Sequence, residues 1–157
     1  QKTGSFKVRG ALNKIQHLDD ASRHRGVITA SAGNHAQGVA YAGRMAGVPV
    51  KVVMPEPASF SKVEATVSYG AEVILHGRDY GEAYEKASEL ASAEGLTFVH
   101  AFDDLEVIAG QGTLGLELLE QLPDLDTVVV PVGGGDLLAG IVSALRGSGS
   151  RARVVAV

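Results

Sequence analysis

Gly26-Val-Ile-Thr-Ala-Ser-Ala-Gly-Asn-His-Ala-Gln-Gly38 decides the fold class. Val27–Ala30 is a short apolar run, Ser31–Gly33 is a turn, and a small-residue helix follows from about Asn34 to Met45, stopped at Gly47. Strand, tight turn and helix in that order form the opening half of a βαβ unit. Working outward, Val50–Met54 reads as a buried strand, and Ser59 or Ser61 can cap a helix carrying Val63 and Val67. Glu72–Leu75 is strand-like, Tyr80–Glu94 places Ala83, Ala87, Leu90 and Ala91 on one helical face, and Thr97–Val99 is another short strand. Past Asp103-Asp104, a helix with Leu114, Leu118, Leu119 and Leu122 runs to Pro123. Thr127–Val132 is almost wholly apolar, as suits a strand covered on both faces, and a last helix and strand end at Val157. This alternation predicts an α/β fold with parallel sheets layered between helices.

Composition excludes several function classes. The 157 residues include no cysteine and no tryptophan, so disulfide scaffolds, thiolate metal sites and cysteine nucleophiles are ruled out. A net charge of −4 with dispersed basic residues leaves no electrostatic footprint for nucleic acid. No apolar run approaches the length of a membrane span. The chain starts at Gln1 with no signal peptide, and its first residues read as the interior of something longer.

Three segments can carry chemistry. In Thr3-Gly-Ser-Phe-Lys-Val-Arg-Gly-Ala11, Lys7 is placed one turn into a helix beside Phe6. A lysine there serves either as a Schiff-base former or as an ordinary solvated helix residue, and spacing does not choose. In Ser31–Gly38, main-chain N–H groups at a helix start suit an anion such as a carboxylate, while Ser31 or Asn34 would serve equally as plain caps. His35 has no second histidine at ligand spacing, which argues against zinc. In Pro131-Val-Gly-Gly-Gly-Asp-Leu137, a glycine turn between strand and helix suits a phosphate. It matches neither a P-loop nor G-x-G-x-x-G.

Taken in chain order, with Ala109-Gly-Gln-Gly-Thr113 between the second and third segments, these motifs closely resemble the threonine/serine dehydratases, fold type II enzymes dependent on pyridoxal 5′-phosphate (PLP). The resemblance covers essentially the whole chain. It implies a two-lobed architecture with 1–18 and 106–157 in an incomplete large domain and 19–105 in a small one. It implies that Lys7 forms the Schiff base and later moves the Cα proton, that Phe6 packs on the cofactor ring, and that Asn34 meets its 3′-oxygen. Gly133, Gly134 and Gly135 would cradle the phosphate, and Ser31, Ala32, Gly33, Asn34 and His35 would hold the substrate carboxylate. The reaction so implied is β-elimination of L-threonine or L-serine to a 2-keto acid and ammonia, in a cytoplasmic homo-oligomer.

Two neighbouring activities fit less well. Racemases of this family carry a serine after the position of Ser31, where this chain has Ala32, and His35 departs from the loop of the cysteine synthases. A non-catalytic fold remnant is the alternative from another class, because two features depart from the family. Asp136 stands where a fourth glycine is usual, and is expected either to cap the following helix, to splay into solvent, or to weaken PLP binding by repelling its phosphate. The family's chains are also longer at both ends, so this one reads as the middle of a two-domain enzyme. The scattered His17, His24, His76 and His100 are expected at the surface or in turns, Asp103 and Asp104 as turn and capping acids, and Glu117 and Glu120 as a solvated edge.

Overall fold

The computed structural model describes residues 1–157. Its elements are α1 (Lys7–Gln16), α2 (Asp20–Arg25), β1 (Val27–Ala30), α3 (Asn34–Ala46), β2 (Val50–Met54), α4 (Phe60–Ser68), β3 (Glu72–Leu75), α5 (Tyr80–Glu94), β4 (Thr97–Phe98), α6 (Leu105–Gln121), β5 (Thr127–Val130), α7 (Asp136–Gly147) and β6 (Arg153–Ala156). Two sheets form, one ordered β3-β2-β1-β4 and one β5-β6, and every pairing is parallel. The α/β, parallel-sheet expectation holds.

The first sheet is the middle of a three-layer sandwich, because side chains alternate along each strand. Val27, Val50, Val52 and Met54 face α1 and α3, packing with Ile15, Val39 and Val107. Ile28, Ala30 and Val53 face the other way, onto Ala83 and Ala87 of α5. β1 is therefore buried at all four positions. The second sheet is covered differently. Val130 packs with Leu137, Ile141 and Leu145 of α7, while Val129 is 59% exposed, so the expected cover on both faces of β5 is absent.

Helix α6 also differs from its leucine-based reading. It buries Val107, Gly110, Gln111, Gly112 and Gly115, whereas Leu114, Leu118 and Leu119 are only half-buried and Leu122 is exposed. Glycine prevails because α6 meets α1 and α7 backbone to backbone. A Cβ on Gly110 would lie 2.5 Å from the Arg9 carbonyl oxygen, and one on Gly112 would lie 2.9 Å from that of Gly140. Glu117 is likewise more than a solvated edge, since both its oxygens accept from the Arg9 guanidinium, at 2.6 and 2.8 Å. Helix α2 has no counterpart in the sequence reading. Six residues are too few to display a helical period, and it is held by Asp19, whose side chain accepts from Ser22 N at 2.7 Å. The α1–α6–α7 cluster brings the starts of α1 and α7 together, and those two starts form the site.

Candidate active site

Lys7 is the first residue of α1, not one turn in, and its N–H donates to Ser5 Oγ at 3.2 Å. The side chain reaches across to the beginning of α7. Its Nζ donates to the Ala101 carbonyl oxygen at 2.7 Å and to Asp136 Oδ2 at 2.8 Å, and stands 5.2 Å from the Phe6 ring centroid. Phe6, Lys7, Pro131, Val132, the three glycines and Asp136 border one cavity of about 350 Å³. It opens where β5 ends, the usual place for a ligand in a parallel sheet. A larger polar cleft of about 450 Å³, between Pro123–Asp126 and Ser148–Ala152, lies at the opposite end of the same strands and contains none of these groups.

The glycine turn suits an anion on three counts. The backbone N–H groups of Gly133, Gly134, Gly135 and Asp136 donate to no atom of the chain. Gly135 has φ +93°, a conformation that side chains resist, and Cβ atoms on Gly133 and Gly135 would meet only open space. The turn leads straight into α7, so its donors carry the positive end of the helix dipole. A phosphate on the turn and an aldehyde at Lys7 would share this cavity, and Phe6 offers an apolar ring beside them. The residues present fit pyridoxal 5′-phosphate.

Asp136 follows neither of the postures considered for it. It does not cap α7, whose cap residue Gly135 makes no side-chain bond, and it does not splay into solvent, being 3% exposed. It turns inward to Lys7 and to Gln111 Nε2, 3.0 Å from Oδ2. Gln111 is fully buried and carries no local sequence signal for a role here. Its role depends on the approach of three helices, which no local pattern displays.

The Ser31–His35 loop stands apart from this cavity. Asn34 is exposed at the start of α3, and Ser31 Oγ accepts from Gly33 N at 3.2 Å, tightening the turn without capping the helix. His35 points into the core. Its Nε2 donates to the Val99 carbonyl oxygen at 3.0 Å, while Nδ1 is buried with no partner. Burial pushes the imidazole down to about 4, against the raising effect of the Val99 bond and with help from the positive charge of Lys7. The unfolded chain therefore binds a proton here near pH 6.5 that the folded chain refuses until about pH 4. Stability from this group is full above the unfolded value and drains away as pH falls through that window. Urea unfolding is expected to show a loss of about 2 kcal/mol between pH 7 and pH 5, and His35→Gln should remove that component. Equal pH slopes for the two proteins would contradict the assignment.

The family match covers the same elements. The description "Pyridoxal-phosphate dependent enzyme" matches residues 1–157. The chain belongs to this family. Its cofactor is pyridoxal 5′-phosphate. The L-threonine ammonia-lyase of Thermotoga maritima is 54% identical over all 157 residues, which cover 39% of that relative. Among solved structures, the processed form of threonine deaminase isoform 2 from Solanum lycopersicum superposes with a TM-score of 0.96 at 42% identity, over 99% of this chain and 46% of that one. Maize serine racemase follows with a TM-score of 0.95 at 39% identity, over 99% of this chain and 47% of that one. The chain thus spans less than half the length of each of these relatives. The architecture is that of the fold type II enzymes, as the resemblance implied. No helix is long and apolar enough to cross a membrane.

Proposed function

We propose that this chain carries the cofactor-binding heart of a PLP-dependent lyase that deaminates L-threonine, and L-serine, to a 2-keto acid and ammonia by β-elimination. The observation that carries the reading is Lys7 Nζ facing the glycine turn across one cavity, with its charge met by Asp136 at 2.8 Å. The names of the relatives support the choice of substrate. When bound, the cofactor supplies an electron sink for the carbon next to the substrate amine.

The chain's own residues supply the rest. The Gly133–Gly135 N–H groups and the start of α7 hold the phosphate, and Phe6 packs beside the ring. Lys7 Nζ is both the point of covalent attachment and, once released, a base for the Cα proton. Asn34 is assigned to the ring 3′-oxygen and Ser31–His35 to the substrate carboxylate. Because that loop does not border the cavity, those two roles require the Ser31–Asn34 turn to approach it when substrate binds. Ala32 has no ionisable group, so the loop offers no second proton carrier there for racemisation. We assign 1–18 and 106–157 to a large domain and 19–105 to a small one, supported by the first sheet lying within 27–98 and the second within 127–156. A cytoplasmic homo-oligomer completes the proposal. It is supported by the absence of cysteine, and by exposed Leu105 and Leu116 flanking an apolar groove between α6 and α7.

Incubating the chain with PLP and L-threonine is expected to release keto acid, read as its hydrazone, only when both are present. Cofactor bound to Lys7 without keto acid would instead identify a cofactor-binding module and overturn the catalytic reading.

A further inference from the structure

The Asp136 carboxylate has no part in holding a phosphate, because such a cradle requires donors and a carboxylate offers acceptors. It is nevertheless among the most firmly held side chains of the site. Oδ2 accepts from Lys7 Nζ at 2.8 Å and from Gln111 Nε2 at 3.0 Å, and the side chains of the ion pair are 17% and 4% exposed for Lys7 and Asp136. Gln111 is itself pinned, because its Oε1 accepts from Gly10 N at 3.0 Å. A Cβ on Gly10 would lie 2.5 Å from Gln111 Nε2, so the amide is seated against bare backbone. The carboxylate is thus fixed by α1, α6 and α7 together. The Ala101 carbonyl takes a second hydrogen of the lysine at 2.7 Å.

We propose that Asp136 is a lock on Lys7: an ion pair that parks the amine at the mouth of the glycine turn and must open before Lys7 condenses with an aldehyde. The inference rests on Lys7 being the cofactor lysine. Condensation forms a carbon–nitrogen double bond and releases the carbonyl oxygen as water, with both hydrogens of the neutral amine nitrogen. The attacking nitrogen needs a free lone pair. An ammonium held by Asp136 and Ala101 has none, so capture requires loss of a proton to a solvent base and escape from the carboxylate. Gln111 remains on Oδ2 when Lys7 departs, so the buried carboxylate keeps a donor and the opened state is accessible. Asp136 is in this sense a positioning residue, acting through Lys7.

Two aldehydes separate the lock from simple repulsion of the phosphate: pyridoxal, which has no phosphate, and pyridoxal 5′-phosphate. Each is mixed with the wild-type chain, Asp136→Asn and Asp136→Glu at one pH. Samples are quenched with borohydride over time, and the peptide containing Lys7 is quantified. Asp136→Asn is expected to accelerate labelling about tenfold with both aldehydes alike, the scale set by one lost charge-assisted hydrogen bond. Asp136→Glu, which keeps the charge, should stay near the wild-type rate. Asp136→Gly gives the same comparison should the asparagine variant lose its thermal transition. Acceleration confined to pyridoxal 5′-phosphate would assign Asp136 to phosphate repulsion and overturn the lock, as would equal rates in all variants. Failure of the underlying reading looks different: label would then be found on other lysines and never on Lys7, in wild type and variants alike.

Discussion

Replacing Lys7 with alanine is expected to abolish borohydride-stable labelling of the chain by pyridoxal 5′-phosphate at this position and, at the same time, to lower its melting temperature. The two effects have different causes. Labelling fails because no other amine stands at the glycine turn. Stability falls because the Asp136 side chain, 4% exposed, loses its cation and keeps only Gln111 as a donor. With Gln111 still donating, losing this charge-assisted hydrogen bond costs about 1.5–3 kcal/mol. For a domain of this size that corresponds to a shift of roughly 3–12 °C. Lys7→Arg separates the two effects. Its guanidinium restores a charge for Asp136 but cannot condense with the aldehyde, so the arginine variant should melt near the wild type and remain unlabelled. An arginine variant as unstable as the alanine variant would show that geometry, not charge, holds Asp136. Undiminished labelling of either variant at other lysines alone would mean that Lys7 is not the capturing amine.

The sequence shows which features are local. Strands β2 and β3 and helix α5 end where their apolar runs and glycine stops place them, because period and punctuation are properties of the chain itself. Phe6, Lys7 and the glycine turn were legible as motifs, and the structure gathers them around one cavity. What could not be read depends on contacts between distant segments. The inward turn of Asp136 needs Lys7, which lies 129 positions away, and Gln111, which lies 25 away. The true buried face of α6 needs neighbouring backbones close enough to reject side chains, so glycines take its most buried positions while Leu114 and Leu119 are half-buried and Leu122 lies outside. His35 sits in a loop that reads as an anion site, yet its ring bonds to the Val99 carbonyl just past β4. No pattern within Ser31–Gly38 indicates that direction.

Gly140→Ala tests whether this helix junction positions the site. A Cβ at Gly140 would lie 2.5 Å from the Ile108 carbonyl oxygen, 2.6 Å from Gly112 N and 3.1 Å from Gln111 C, all backbone atoms of α6. No flexible side chain can give way, so α6 and α7 must part. Overpacking of this kind costs about 1–3 kcal/mol or more, against which the better helix propensity of alanine returns about 1 kcal/mol. A net loss of about 1–2 kcal/mol is expected in urea unfolding. The displacement acts on the segment that carries Gln111, which donates to Asp136, so the variant should also label faster with pyridoxal at Lys7. Gly147→Ala supplies the opposite sign in the same helix. A Cβ there meets nothing within 4 Å, and the substitution should stabilise by a few tenths to about 1 kcal/mol. If both alanines stabilise alike, the α6–α7 contact is looser than its backbone distances require, and Gln111 is not held by it. If Gly140→Ala alone destabilises and Lys7 capture quickens with it, the small residues of α6 and α7 set the reach of the carboxylate that holds Lys7.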